Sequence, residues 1–137
     1  MDGDIKKGCD LVSHKAFAEA ARKKGMDDIL ALAWLREWRS MKSIFRLDSE
    51  ATSEEIERTR SLPQGCPAAP MLFNIILDAL AIGFENLARS RKWGKQLQDG
   101  SWVDLVLFAD TYSLIATNHT MLEHMTKAWL DLLGEYG

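Results

Sequence analysis

The run VLFADTYSLIA, residues 106–116, limits the possible folds more than any other stretch of this chain. Apolar, β-branched and aromatic residues flank a single carboxylate, so the run reads as two strands meeting at Asp110. A lone carboxylate in the middle of a buried strand costs several kcal/mol unless something pairs with it. Asp110 therefore either lies at a turn and meets water, or faces a cation. With Asp110 near the turn of a hairpin, Leu107 and Leu114 stay in the core.

The rest of the chain supplies layers for such a hairpin to pack against. Ser13 is placed as the N-cap of a helix over 14–24, closed by Gly25 in the left-handed region. Asp27 or Asp28 opens a second helix, with Leu30, Ala33, Trp34 and Trp38 at helical spacing. SMKSIFRLD and EEIERTRSL read as two short strands joined across DSEATS, although EEIERTR also suits a helix start. Pro63, Gly65, Pro67 and Pro70 mark a turn, with Pro70 suited to a first helical turn. A long helix over 71–90 follows, with Met71, Ile75, Ile76, Ala79, Phe84 and Leu87 on its apolar face. Asp99-Gly100 signals a turn. The last segment is an amphipathic helix carrying Met121, Leu122, Met125, Trp129, Leu132 and Leu133. The order β-α-α-β-β-α-β-β-α predicts an α+β fold, an antiparallel sheet with helices packed on one face.

At 137 residues, 47% of them apolar, the chain suits one ordinary globular domain. A net charge of −3 argues against autonomous non-specific binding to a polyanion, but leaves room for a local basic groove. Its two cysteines, Cys9 and Cys66, form no metal-spaced cluster, so free thiols in a reducing intracellular setting are expected. No membrane span and no signal peptide are read from the sequence. His14, His119 and His124 are expected to cap or face solvent. RKK at 22–24 and RSRK at 89–92 are read as solvated helix ends. The five tryptophans are assigned to packing, with Trp93 and Trp102 the candidates for exposure.

Asp4 ends a short strand-like start. If that strand neighbours the hairpin, Asp4 and Asp110 converge, and close carboxylates repel unless protonated or bridged by a cation such as Mg²⁺. The plainer alternative makes Asp4 a loose terminal residue and Asp110 a turn former. In RSLPQGCPAAPMLFN, Gly65 permits close approach of a ligand and Gln64 offers hydrogen bonds to a base or sugar edge.

Together DIKKGCDLVSHKAF, RSLPQGCPAAPMLFNIILD and VLFADTYSLIA resemble three consecutive motifs of reverse transcriptases, especially those of non-LTR retrotransposons and group II introns. The resemblance covers residues 4–137. It implies a polymerase palm, truncated at both ends, with fingers and thumb largely absent and supplied by a longer polyprotein. It implies RNA-directed DNA synthesis, with an RNA template, a DNA primer and dNTPs as partners, no membrane, and a cytoplasmic or nuclear setting. Two Mg²⁺ ions, or Mn²⁺ in their place, would be held by Asp4, Asp110 and the backbone carbonyl of Ile5. Cys9 falls where the family usually stacks an aromatic residue beneath the sugar; Gln64 and Gly65 fall in the nucleotide-contacting loop, with Arg60 entering it. Ala68 and Ala69 stand where a serine and a leucine are usual. The second aspartate of the hairpin is Thr111, which takes the acids from three to two and should impair catalysis. The alternative is a non-catalytic retroelement remnant that binds nucleic acid or protein at most.

Overall fold

The computed structural model describes residues 1–6, 8–46, 52–57, 60–62 and 65–136. Three strands form the main sheet in the order β1-β7-β6: β1 (Asp2–Asp4), β6 (Leu105–Phe108) and β7 (Thr111–Leu114). All pairing is antiparallel. Leu105 faces Leu114 and Phe108 faces Thr111, while Gly3 faces Tyr112 and Asp4 faces Thr111. Reciprocal bonds between Met1 and Leu114 extend the β1–β7 ladder by one residue.

Alternation decides which face is covered. Tyr112 and Leu114 point inward and are buried, and the Tyr112 ring lies 5.4 Å from that of Trp129. Asp4, Val106, Phe108 and Thr111 are exposed, Phe108 by 82%.

Helices build the other layer: α1 (Gly8–Leu11), α2 (His14–Lys23), α3 (Asp28–Ser40), α4 (Ala69–Arg91) and α5 (His119–Tyr136). The caps form where local chemistry places them. Ser13 accepts from the Ala16 N–H at 3.0 Å, Asp27 accepts from Ile29, and Gly25 takes φ 73°. Pro70 sits in the first turn of α4, where it costs no hydrogen bond. The core lies between α2, α4, α5 and the sheet. Phe17 meets Trp38 edge-on at 4.7 Å, and Phe84 meets Trp129 edge-on at 5.5 Å.

Several expectations need correction. The observed order gains a one-turn helix, α1, and a hairpin of β4 (Lys95–Gln96) and β5 (Trp102–Val103). The Asp99-Gly100 turn joins that hairpin, and Gly100 takes φ 85°. The strands expected before residue 62 shrink to β2 (Lys42–Ser43) and β3 (Ile56–Glu57); most of DSEATS lies outside the described residues. Helix α3 buries Ala31 and Trp38, leaving Leu30 and Ala33 exposed, because its docking face is rotated by about a residue. Met71 is exposed on α4. His14 is buried, its ring 5.7 Å from that of Trp38. Helix α4 is also long and apolar enough to cross a membrane by length and composition alone, contrary to the sequence reading. It packs against α2 and α5, and its buried side chains make it the core helix of this fold.

Candidate active site

The sheet brings the two candidate carboxylates onto neighbouring elements. Asp4 ends β1 directly opposite Thr111, the first residue after the turn. The next residue continues the contact: the Ile5 N–H donates to the Asp110 carbonyl at 2.8 Å. The peptide carrying Asp110 is thus fastened to the peptide that follows Asp4. Both aspartate residues are exposed. The Ile5 carbonyl accepts from the Gly8 N–H at 3.0 Å, which leaves it one lone pair for any other partner.

Asp110 owes its position to a two-residue turn, Ala109-Asp110, closed by the Phe108–Thr111 pair. Ala109 takes φ 52°, a left-handed conformation that costs a residue with a Cβ about 1–2 kcal/mol. Strain of this kind persists only where surrounding structure over-determines it. Here the β6–β7 ladder and the Ile5 bond hold the turn from two sides.

Beside the turn opens a cleft of about 770 Å³, walled by α1, α4 and the hairpin. Gly8 and Cys9 line it from α1, Phe73, Asn74 and Asp78 from α4, and Asp110 from the turn. Asp4 is not part of its wall. Close packing shapes the floor: a Cβ on Gly8 would come within 2.6 Å of the Phe73 ring. Burial pushes the Cys9 thiol above its ordinary pKa, and the negative charges of Asp10 and Asp110 push it further the same way. Cys9 is therefore a neutral thiol facing Asp110, unsuited to nucleophilic work at neutral pH. Both cysteines are free, as expected.

The remaining candidates are less well gathered. Arg60 is exposed and forms an isolated antiparallel bridge with Ser13, outside the cleft wall. Gly65 takes φ 84° with open space where a Cβ would stand. Gln64 lies outside the described residues. Ser61 and Leu62 tie this segment to the opposite wall, their N–H groups donating to the carbonyls of Val12 and Cys9 at 3.0 and 2.8 Å. Ser61 is buried at φ 84°, which nothing in its sequence context announces. Phe73, Asn74 and Asp78 were also missed. Their signal is the helical spacing of 70, 73, 74, 77, 78 and 81, a stripe of mixed apolar and polar residues on one face of α4.

As a donor set, two exposed carboxylates, one ending β1 and one in the β6–β7 turn, suit a hard divalent cation with oxygen ligands. The set is sparse, however. Among the described residues no group of three or more His, Cys, Asp or Glu could hold a metal, and Thr111 beside the two carboxylates brings only a neutral hydroxyl.

Comparison with known proteins gives the class. A family model described as "Reverse transcriptase (RNA-dependent DNA polymerase)" matches residues 1–137, the whole chain, and the chain belongs to that family. It is also similar to the "Retrovirus-related Pol polyprotein from type-1 retrotransposable element R2" of Nasonia vitripennis, being 29% identical over 121 residues. That match covers 88% of this chain and 11% of the relative, so the chain spans a small part of its length. The domain is a reverse transcriptase domain of the non-LTR type.

Proposed function

We propose that this domain is the palm of an RNA-directed DNA polymerase, adding deoxynucleotides to a primer 3′ end, with its catalytic power reduced by Thr111. The observation that carries the reading is the Asp4–Thr111 register with the Ile5–Asp110 hydrogen bond, which fastens the end of β1 to the turn carrying Asp110. Family membership and the relative's polyprotein context support an RNA template, a DNA primer and dNTPs as partners.

Asp4 and Asp110 would hold the divalent cation, Mg²⁺ foremost. When bound, such an ion neutralises phosphate charge and lowers the pKa of an attacking hydroxyl. The chain's own residues do the rest. The strained Ala109 turn presents Asp110 to the cleft. The neutral Cys9 thiol adds no negative charge beside it and leaves more room for a sugar than an aromatic ring would. Gly65 lets backbone approach a nucleotide closely, with Gln64 and Arg60 in adjoining contact roles. Thr111 lowers the negative charge facing the metals, and phosphoryl transfer depends on that charge for positioning and electrostatic stabilisation.

Primer extension on an RNA template tests this, with residues 1–137 grafted into the matching region of the Nasonia relative. Extension by the graft, abolished by Asp110→Asn, supports a working polymerase module. Silence with synthesis restored by Thr111→Asp points to the second reading, a retroelement remnant whose site has decayed, which the loss of that acid favours. Silence in all three, with each graft folded, refutes the catalytic assignment.

A further inference from the structure

The charge distribution at the far end of α4 is not absorbed by the catalytic reading. Four exposed cations, Arg89, Arg91, Lys92 and Lys95, fall within seven residues of a chain whose net charge is −3. None forms an ion pair among the described residues. Arg89 acts electrostatically on the buried Asp104. Arg89, Lys92 and Trp102 line a hollow of about 310 Å³.

The hollow is built rigidly. Lys92 ends α4 in the left-handed region at φ 55°, where glycine would be unstrained. A lysine at that position incurs strain of about 1–2 kcal/mol, an observation that invites a role for its side chain. Gly94 takes φ 104°, and a Cβ there would meet the Trp102 indole nitrogen at 2.6 Å and the Val103 carbonyl at 2.7 Å. The indole N–H of Trp102 donates to the Trp93 carbonyl. One edge of the ring is thereby anchored while the residue remains 45% exposed. An aromatic plate held beside two cations matches the chemistry of single-stranded nucleic acid: a base stacks on the ring and its phosphates meet the cations.

We infer that Arg89, Lys92 and Trp102 form a contact site for single-stranded nucleic acid one helical turn beyond the polymerase cleft, at the far end of α4. The cleft lining on α4 runs from Pro70 to Glu85; Arg89 lies four residues and Lys92 seven residues past Glu85, about 6 and 11 Å along the helix. The site needs neither the metal nor catalysis, so its failure and that of the polymerase reading are distinguishable. A strand engaged there would be held by the domain while another part of it occupies, or leaves, the cleft.

Fluorescence anisotropy of the full chain with a short labelled oligouridylate or oligothymidylate tests the site, read between about 50 and 200 mM salt. Arg89→Gln/Lys92→Gln should weaken binding and flatten the log–log salt dependence by about 1.4, roughly 0.7 for each lost phosphate contact. Trp102→Ala should weaken binding about 5-fold or more with the salt slope kept, as expected for a lost stacking contact. If Trp102→Ala fails to fold, Trp102→Phe, which keeps a ring, should retain binding, and the exposed Arg89 and Lys92 substitutions decide the case. Preference for the ribo- or deoxyribo-oligomer then assigns the strand. No binding at low salt, or unchanged affinity and slope in the Gln double variant, overturns the inference. So does a change in the chain's self-association with that variant and no change in oligonucleotide binding.

Discussion

Gly3→Ala probes the contact on which the site depends. Gly3 pairs with Tyr112 across β1 and β7, and a Cβ at Gly3 would stand 2.3 Å from Cζ and 2.4 Å from Oη of that ring. An aromatic ring lying over a glycine on an edge strand compensates for the missing side chain. Tyr112 has little freedom to retreat, being 6% exposed and tilted against the fully buried Trp129 at 5.4 Å. One added methyl group is thus overpacking, at about 1–3 kcal/mol. With about 2.1 cal/mol/K of unfolding entropy per residue, that lowers Tm by roughly 3–10 °C for a chain of this length. Urea unfolding measures the loss directly. The decisive comparison is a double-mutant cycle with Tyr112→Ala, in which Gly3→Ala should cost almost nothing, because the ring it meets is gone. An equal cost in both backgrounds, or no cost in the parent, would show that the ring does not rest on Gly3. Loss of β1 pairing should also detach Asp4 from Thr111, so Gly3→Ala should weaken divalent-cation binding beyond its effect on stability.

Other perturbations test separate parts of the structure. Ser13→Ala removes the cap on α2 and should cost about 1 kcal/mol in urea unfolding, with Ser13→Gly costing less. Asp104 is buried and its carboxyl lies above the ordinary range, raised by burial and only partly offset by backbone hydrogen bonds and Arg89. An acid harder to ionise in the folded state loses stability as pH rises from the ordinary Asp range through its folded pKa. Asp104→Asn should therefore raise Tm at pH 7 relative to the parent and lose that advantage in acid; equal gains at both pH values would contradict the burial argument. Cys9 should alkylate slowly near neutral pH and faster only above the ordinary thiol range. Asp110→Asn should quicken it by removing a neighbouring negative charge, and mass spectrometry of the Cys9 peptide across pH reads the change.

What could be read along the chain is what local chemistry decides. A side-chain oxygen two or three residues ahead of a free N–H caps a helix wherever the helix lies, so Ser13 and Asp27 stand where they were expected. Pro70 and the Asp99-Gly100 turn behave likewise, since proline and glycine restrict or free the backbone without reference to the rest of the fold. The hairpin at Asp110 was legible too, because an apolar run broken by one acid has few stable arrangements. The family motifs were read in the same way, as short residue patterns.

Tertiary structure decided the questions that depend on partners distant in sequence. Whether Asp4 is a loose end or a site residue rests on β1 pairing with β7, a contact across more than a hundred residues. The docking of α3 through Ala31 and Trp38, and the burial of His14 against Trp38, depend on which face a helix turns to its neighbours, and alternative faces differed little in apolar content. The hollow of Arg89, Lys92 and Trp102 exists only because the β4–β5 hairpin folds back over the end of α4. Local hydrogen bonding determined where the elements of this protein begin and end, whereas long-range packing determined which of their side chains meet, because burial and close contact are properties of the assembled surfaces.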